Sequence, residues 1–424
     1  VTSATGSGSA PRRRVSRRMR LSITIGVTLA LIAGGYTAAV ALAPLPAPEV
    51  ALDVPETEEF TVGGEAVQAI VAAELQPSAV GWQHGGDEVW ANDEVPRPIA
   101  SISKLATVLV TLEQQPLEPG ADGAIHVWSA ADAALQAEFI ARDGVAFPIP
   151  IGTEVTQRQM LTLALLPSAN DFAAAYANSV FGDNATFVAA VDDWASRNGL
   201  ESLSLVEPTG MDEGNVATAA DVLRLGRLAL ANPTVAELTR TPVAELPWGI
   251  GTVENTNALL TRLPGMLGLK TGRSSVAGYN LVAAQESDVL GRPIVKLAVT
   301  LGRDSPEARI ESTAGLLAGL DGLPQETLLV ETDTQVGTAT TVDGHEVPLR
   351  TTGAASTVLT PGETATRTVQ LGDIGVGDAW QVAGRVTVDA PTGAAEIPVV
   401  TAAEIVEPDL WWRLTHPARV FGWA

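Results

Sequence analysis

No cysteine occurs in the 424 residues. That excludes disulfides, thiolate metal sites, a cysteine nucleophile and a lipid anchor on Cys. Histidine is nearly as scarce, with His84, His126, His345 and His416 alone and none between 127 and 344. There is also no Gly-x-Ser-x-Gly, so a Ser-His-Asp hydrolase has little support. His345-Glu346 continues into Val347-Pro348-Leu349 rather than a second histidine, so it is no zinc motif, and these histidines read as surface or loop residues. Neither a metal nor a cofactor is called for. Lysine is the third scarcity: Lys104, Lys270 and Lys296 are the only three, against 23 arginines. A position that keeps lysine where arginine prevails suggests an amine that must lose a proton, which guanidinium cannot do.

Positive charge is concentrated at the start. Arg12, Arg13, Arg14, Arg17, Arg18 and Arg20 stand in the first 20 residues without an acid, leaving 20 basic residues against 49 acidic ones beyond them. Such an acidic body is repelled by phosphate backbones, so no nucleic acid partner is expected. Leu21 to Ala43 follows without a charge, and a helix of that length spans about 30 Å of hydrocarbon. Arginines on its N-terminal side put that end in the cytoplasm and the rest outside. Ala41-Leu42-Ala43 resembles a signal-peptidase site, but Pro44 opposes cleavage and the run is long for a signal peptide. The expectation is a single-pass anchor in the cell membrane with the body on the extracytoplasmic side.

The chain divides into a basic cytoplasmic tail (1–20), a transmembrane segment (21–43) and a Pro-rich linker (44–64). A catalytic domain (65–322), a β-rich domain (323–403) and an aromatic tail (404–424) follow. Hydrophobic periodicity predicts helices over Glu65–Leu75, Ser101–Gln114, Thr156–Leu166, Asp171–Val180 and Asp221–Leu230, and short strands around Ala79–Trp82 and Glu88–Ala91. Tyr279–Ala284 and Ile294–Gly302 predict a hairpin joined through Gly291-Arg292-Pro293. Asp304 is the expected N-cap of a helix running to about Leu320. Thr- and Val-rich alternation, as in Thr366–Leu371 and Val382–Val388, marks the β domain. Trp411, Trp412, Phe421 and Trp423 suit a membrane interface, but Pro408 and Pro417 leave only about eight residues between them, too few for a good amphipathic helix, and a tail packed on the β domain fits as well.

Three short motifs carry chemistry. In Ser101-Ile102-Ser103-Lys104, residues i and i+3 share a helix face, so a serine at the helix N-terminus meets an amine whose pKa burial and the dipole lower. Ser168-Ala169-Asn170 interrupts two helices after Pro167, where polar side chains can point into a cleft, although Ser168 also suits an ordinary N-cap. Lys270-Thr271-Gly272 opens an extended segment in which glycine permits close backbone approach. Each is weak alone.

In this order and spacing they resemble the active-site serine penicillin-recognising enzymes, for which the Ser-x-x-Lys and Lys-Thr-Gly pairing is a known signature. The resemblance is closest to the low-molecular-mass D-alanyl-D-alanine carboxypeptidases of peptidase family S11, over roughly residues 65 to 320. Pro208-Thr209-Gly210-Met211-Asp212, Asn255-Thr256-Asn257 and Leu301-Gly302-Arg303-Asp304-Ser305 add to it. The resemblance implies an α/β (α+β) fold, with a central antiparallel sheet flanked by helices and then a small all-β domain. It implies Ser101 as nucleophile, Lys104 as its base, and Ser168, Asn170 and Lys270 as further catalytic groups. Thr271, Gly272, Arg273, Ser274 and Arg309 would bind substrate, with Arg309 meeting the terminal carboxylate and the Ser101 and Arg273 N–H groups forming the oxyanion hole. Peptidoglycan stem peptides would be the substrate and β-lactam antibiotics covalent inhibitors. Arg273 and Ser274 depart from the family's usual residues. A class A β-lactamase would need Glu-x-x-Leu-Asn between Ser168 and Lys270, which is missing, and a non-catalytic cell-wall scaffold would not need intact motifs.

Overall fold

The computed structural model describes residues 16–84 and 88–423. The expected tail arginines Arg12, Arg13 and Arg14 lie outside the described residues. The apolar run forms a helix over Arg17–Leu42, capped by Ser16 and exposed along nearly its whole length. It is long and apolar enough to cross a membrane.

A five-stranded antiparallel sheet organises the catalytic domain. Its order is Met266–Ser274, Gly278–Val289, Arg292–Arg303, Ser78–Trp82 and Trp90–Ala91. Side chains alternate across a strand, and here both faces are covered. Val282 and Ala284 pack with Leu297 and Val299 into the larger core, whereas Leu281 and Ala283 face Ala298 and Ile294 in a second one. Helices Glu65–Ala72 and Pro306–Gly319 cover the second face. Helix Ala219–Ala231 covers the first at Gly226, where an added Cβ would sit 2.9 Å from Val282. Beyond it lies the helical layer, centred on Ser103–Gln114, which is buried from Ser103 through Leu112.

Several boundaries differ from expectation. The helix expected from Ser101 begins at Ser103, behind a tight 3-10 turn over Ala100–Ile102, because Ala100 takes φ +48°. The hairpin turn is Leu290-Gly291 (φ +53° and +84°) rather than Gly291-Arg292-Pro293. Two successive positive φ values suit a two-residue turn between twisted strands, so both strands run longer than their apolar cores. Ser305, not Asp304, caps the following helix: its backbone is extended and its Oγ accepts the Ala308 N–H at 3.0 Å. The first catalytic-domain helix ends at Ala72, not Leu75. Helices Ala130–Ala141, Asn184–Arg197 and Pro233–Thr239 were not expected from periodicity.

The largest difference concerns the linker. Residues 49–61 are not a free spacer: Glu49–Leu52 and Thr57–Thr61 form the two edges of the seven-stranded antiparallel sheet of the β domain. Val50 pairs with Ala339 and Phe60 with Ala365. Val50, Val54, Phe60 and Val62 pack on that domain's core. These four apolar residues are spread through an acidic, proline-containing segment, which hides the strand pattern until the partner strands are present.

Candidate functional site

Backbone fit determines where Ser101 lies. An added Cβ at Gly210, itself at φ +80°, would lie 2.0 Å from the Ala100 carbonyl oxygen. One at Gly272 would lie 2.5 Å from the Ile99 oxygen and 3.3 Å from the Ile102 nitrogen. Strand Met266–Ser274 therefore lies flush against the turn that carries Ser101, and any side chain at 272 would wedge them apart. This brings the peptide groups on either side of Ser101 beside those on either side of Gly272.

Lys104 sits behind the serine with no solvent exposure. Its Nζ is 2.9 Å from Ser101 Oγ, 2.6 Å from Asn170 Oδ1 and 2.6 Å from the Thr209 carbonyl oxygen. An ammonium has three N–H donors and no acceptor, and two of these partners are carbonyl-type oxygens that can only accept. A neutral amine gives its two N–H bonds to Asn170 and Thr209 and keeps its lone pair for the third direction, where Ser101 stands. Burial pulls the Lys104 pKa from 10.5 down to about 7, with the charges of Glu207 and Asp171 working the other way. The neutral form is thus accessible near neutral pH.

Ser168 does not cap the following helix. That helix starts at Asn170 after Ala169, which makes no side-chain cap, and Ser168 itself takes φ +71°. This conformation turns Ser168 Oγ to Lys270 Nζ, 2.9 Å away. Lys270 is 1% exposed, also bonds the Thr271 carbonyl oxygen at 3.1 Å, and makes no ion pair among the described residues. Burial holds its pKa well below the ordinary lysine value, and the nearby charges of Lys104 and Arg309 push the same way. Two serine–lysine pairs, Ser101–Lys104 and Ser168–Lys270, thus sit together, with Asn170 joining the two segments.

The remaining expected residues divide. Thr271 is buried, its Oγ1 2.6 Å from Thr256 Oγ1. Arg309 stacks its guanidinium 5.8 Å from the Tyr279 ring, and Arg273, exposed at the mouth, lies 5.5 Å from the same ring. Arg309 Nε is buried without a hydrogen-bond partner. Ser274 Oγ is engaged at the strand end, accepting the Ala277 N–H at 2.9 Å.

A model of the D-alanyl-D-alanine carboxypeptidase family matches residues 89–303, about half of the chain. The chain belongs to that family. A D-alanyl-D-alanine endopeptidase of Pseudomonas aeruginosa is 32% identical over 198 residues, covering 45% of this chain and 60% of that protein. A D-alanyl-D-alanine carboxypeptidase of Mycobacterium tuberculosis is 36% identical over 138 residues, covering 31% of this chain and 47% of that one. The chain thus spans less than two thirds of these curated relatives. The D-alanyl-D-alanine carboxypeptidase DacD of Francisella tularensis has a similar fold at 19% identity and a TM-score of 0.54, over 80% of this chain and 95% of that one. Membership agrees with the resemblance carried by the three motifs, and the mixed fold is the one it implies.

Some residues that build the site carried no expected role. Glu207 ties the loop behind Lys104: its carboxylate accepts the Thr209 and Gly210 N–H groups at 2.7 and 2.6 Å, which sets the Thr209 carbonyl against Nζ. Asp171 accepts from Gln136 Nε2 and from the Phe147 N–H, both at 2.8 Å, and so holds the 142–152 segment beside Asn170. Asp171 is buried and its pKa is raised for that reason, an effect offset by these bonds. Both acids stand within or next to the quoted motifs, yet acids whose partners are backbone N–H groups leave no spacing pattern. His126, expected in a loop or on the surface, is half-buried in a short strand and lies 2.9 Å from Asp132 Oδ2.

Proposed function

We propose that this chain is a serine-type D-alanyl-D-alanine carboxypeptidase that acts on peptidoglycan stem peptides through an acyl-enzyme on Ser101. The observation that carries the reading is the Lys104 amine, buried against two carbonyl-type oxygens with its third direction on Ser101 Oγ. That is the arrangement a neutral general base requires. Lys104 takes the Ser101 proton as Oγ attacks the carbonyl carbon between the two D-alanines. The developing oxyanion is met by the N–H groups of Ser101 and Arg273, on the two backbones that Gly272 keeps close. With the substrate's carboxylate bringing a negative charge into the cleft, Lys270 enters this step as the ammonium; as the C–N bond breaks, the leaving amine takes a proton from Ser168 Oγ, which Lys270 Nζ replaces. Water then attacks the ester, its proton replaces the one given to the amine, and Lys104 returns its proton to Ser101 Oγ. Asn170 orients Lys104 and the substrate amide. Thr271, Ser274 and Arg309 receive the terminal carboxylate, and the Arg309 guanidinium, without an acid partner among the described residues, supplies the matching charge.

Penicillin would acylate the same serine and leave it slowly. The Arg17–Leu42 helix supports a retained single-pass anchor, with the catalytic domain on the extracytoplasmic side. Incubating the protein with a pentapeptide stem and weighing the products tests the activity: loss of one D-alanine is expected. Mass spectrometry with penicillin tests the intermediate, and no adduct, or an adduct undiminished by Ser101→Ala, overturns it. Cleavage of cross-linked stems instead of loss of terminal D-alanine would favour endopeptidase action, the activity named for the Pseudomonas relative.

A further inference from the structure

The outer end of the apolar helix meets the aromatic tail. Arg413, on the short helix Leu410–Thr415, is 7% exposed and directs Nη1 to the carbonyl oxygens of Ala43 (3.1 Å), Ala41 (3.3 Å) and Val40 (3.5 Å). These are the last carbonyls of the N-terminal helix, which lack partners within the helix and attract a cation. Tyr36 Oη donates to the Leu414 carbonyl at 2.8 Å, giving a second tie one and a half turns earlier. Arg413 is also held by Glu407 at 2.5 Å. Two residues before Glu407, Ile405 exchanges both backbone hydrogen bonds with Gly377, at 2.9 and 2.8 Å, in the loop before strand Val382–Ala390. An unbroken series of short contacts thus runs from that loop to the outer end of the apolar helix.

The same loop presents apolar side chains to solvent. Trp380 is 71% exposed, Val382 70%, and Val376 is also exposed. Trp380 takes φ +71°, a conformation costly for a bulky residue and free for glycine. A large aromatic held there with most of its surface in water has no packing role within the chain. On the adjoining tail, Trp411 and Trp423 are exposed in the same way. Tryptophan favours the water–hydrocarbon boundary of a bilayer. Asp373, Asp378, Glu404 and Asp409 stand exposed among them, so attraction to anionic headgroups is not what this face offers.

We propose that the β domain is itself a membrane-contacting module. Val376, Trp380 and Val382, together with Trp411 and Trp423, rest in the outer interface of the bilayer that the Arg17–Leu42 helix crosses, and Arg413 clamps this foot to the helix end. The ectodomain is then held at one height and orientation instead of swinging on a leash. The proposal rests on the retained-anchor reading given above.

The absence of native cysteine makes the test direct. Full-length protein in phosphatidylcholine vesicles doped with a headgroup-level nitroxide lipid would carry one environment-sensitive fluorophore at a time, on Val376→Cys, Val382→Cys, Leu75→Cys or Val276→Cys. The first two labels should be quenched at least twofold and the last two, at exposed positions of the catalytic domain, unaffected. Adding Trp380→Ala or Arg413→Ala should return the Val376 label most of the way to the unquenched signal. A chain inserted by intact mass but with labels 376 and 382 as wet as 75 overturns the foot and leaves the anchor standing. Quenching that survives Arg413→Ala overturns the clamp. A chain trimmed after Ala43 and absent from the vesicles overturns both readings.

Discussion

Two sets of buried cations divide the catalytic domain. Away from the cleft, Lys296 is matched by Asp321 and Arg303 by Glu74 at 2.6 Å, and the half-buried Arg292, reaching the β domain, by Glu363 at 2.5 Å. Arg303, 1% exposed, also bonds the Pro77 and Leu301 carbonyls and the Ser78 and Ser312 hydroxyls. In the cleft, Lys104, Lys270 and Arg309 have no carboxylate within ion-pairing distance among the described residues, only carbonyl, amide, hydroxyl and ring partners. A paired buried cation is fixed in its charged state, while an unpaired one is driven toward neutrality or toward a ligand that brings the missing negative charge. Placing unpaired amines in the cleft costs stability and makes a base available.

The largest effect expected is from Ser101→Ala, which should lower turnover of a D-Ala-D-Ala substrate by about 10⁴-fold or more and abolish the penicillin adduct. Lys104→Arg keeps the charge but cannot give up its proton, so acylation should fall by about 10²–10⁴-fold. In the unaltered enzyme the acylation rate should rise with pH through about 7, following loss of the Lys104 proton. A pH-independent rate would break the comparison.

Stability should separate the two sets with opposite signs. Arg303→Met takes the cation from Glu74 and a donor from the Pro77 and Leu301 carbonyls, and should cost about 2–4 kcal/mol in denaturant unfolding. Lys270→Met removes a buried unpaired amine and should leave the unfolding midpoint unchanged or raised while activity is lost. Because the folded-state pKa of Lys104 lies below its unfolded value of 10.5, the unfolded chain binds the extra proton between about 7 and 10.5. Stability should accordingly rise with pH across that window, and Lys104→Met should remove this contribution. The smallest effect is that of Glu207→Gln. It keeps one of the two acceptor oxygens that tie the loop and removes a charge that favours the ammonium, so the pH profile should shift downward with less than about a tenfold change in rate.

Lysine scarcity already separated Lys104 and Lys270 from the arginines, and the two Ser–Lys pairs follow from motif residues. Helical period found the buried helix Ser103–Gln114, and alternation found the paired strands that carry Tyr279 and Lys296, while the strand that carries Lys270 was expected only as the start of an extended segment. Helix Ala130–Ala141 escaped because its alanine-rich faces differ little in polarity; its start is set by the Ser129–Asp132 capping box. Ser168 read equally well as an N-cap, and only its left-handed backbone, which turns Oγ to Lys270, excluded the cap.

The sequence by itself determined which chemistry is present, because proton-losing amines, hydroxyls and close-approach glycines are properties of residue type and local spacing. It also determined that one long apolar helix precedes an acidic body. Only the tertiary structure decided which lysine faces a hydroxyl and which a carboxylate, since Lys104 and Lys296 are both buried and differ in what faces them. It alone turned the supposed linker into both edges of the β sheet and joined Arg413 to Val40, Ala41 and Ala43. Contacts between residues more than 250 positions apart are set by whole-chain packing, and no local pattern encodes them.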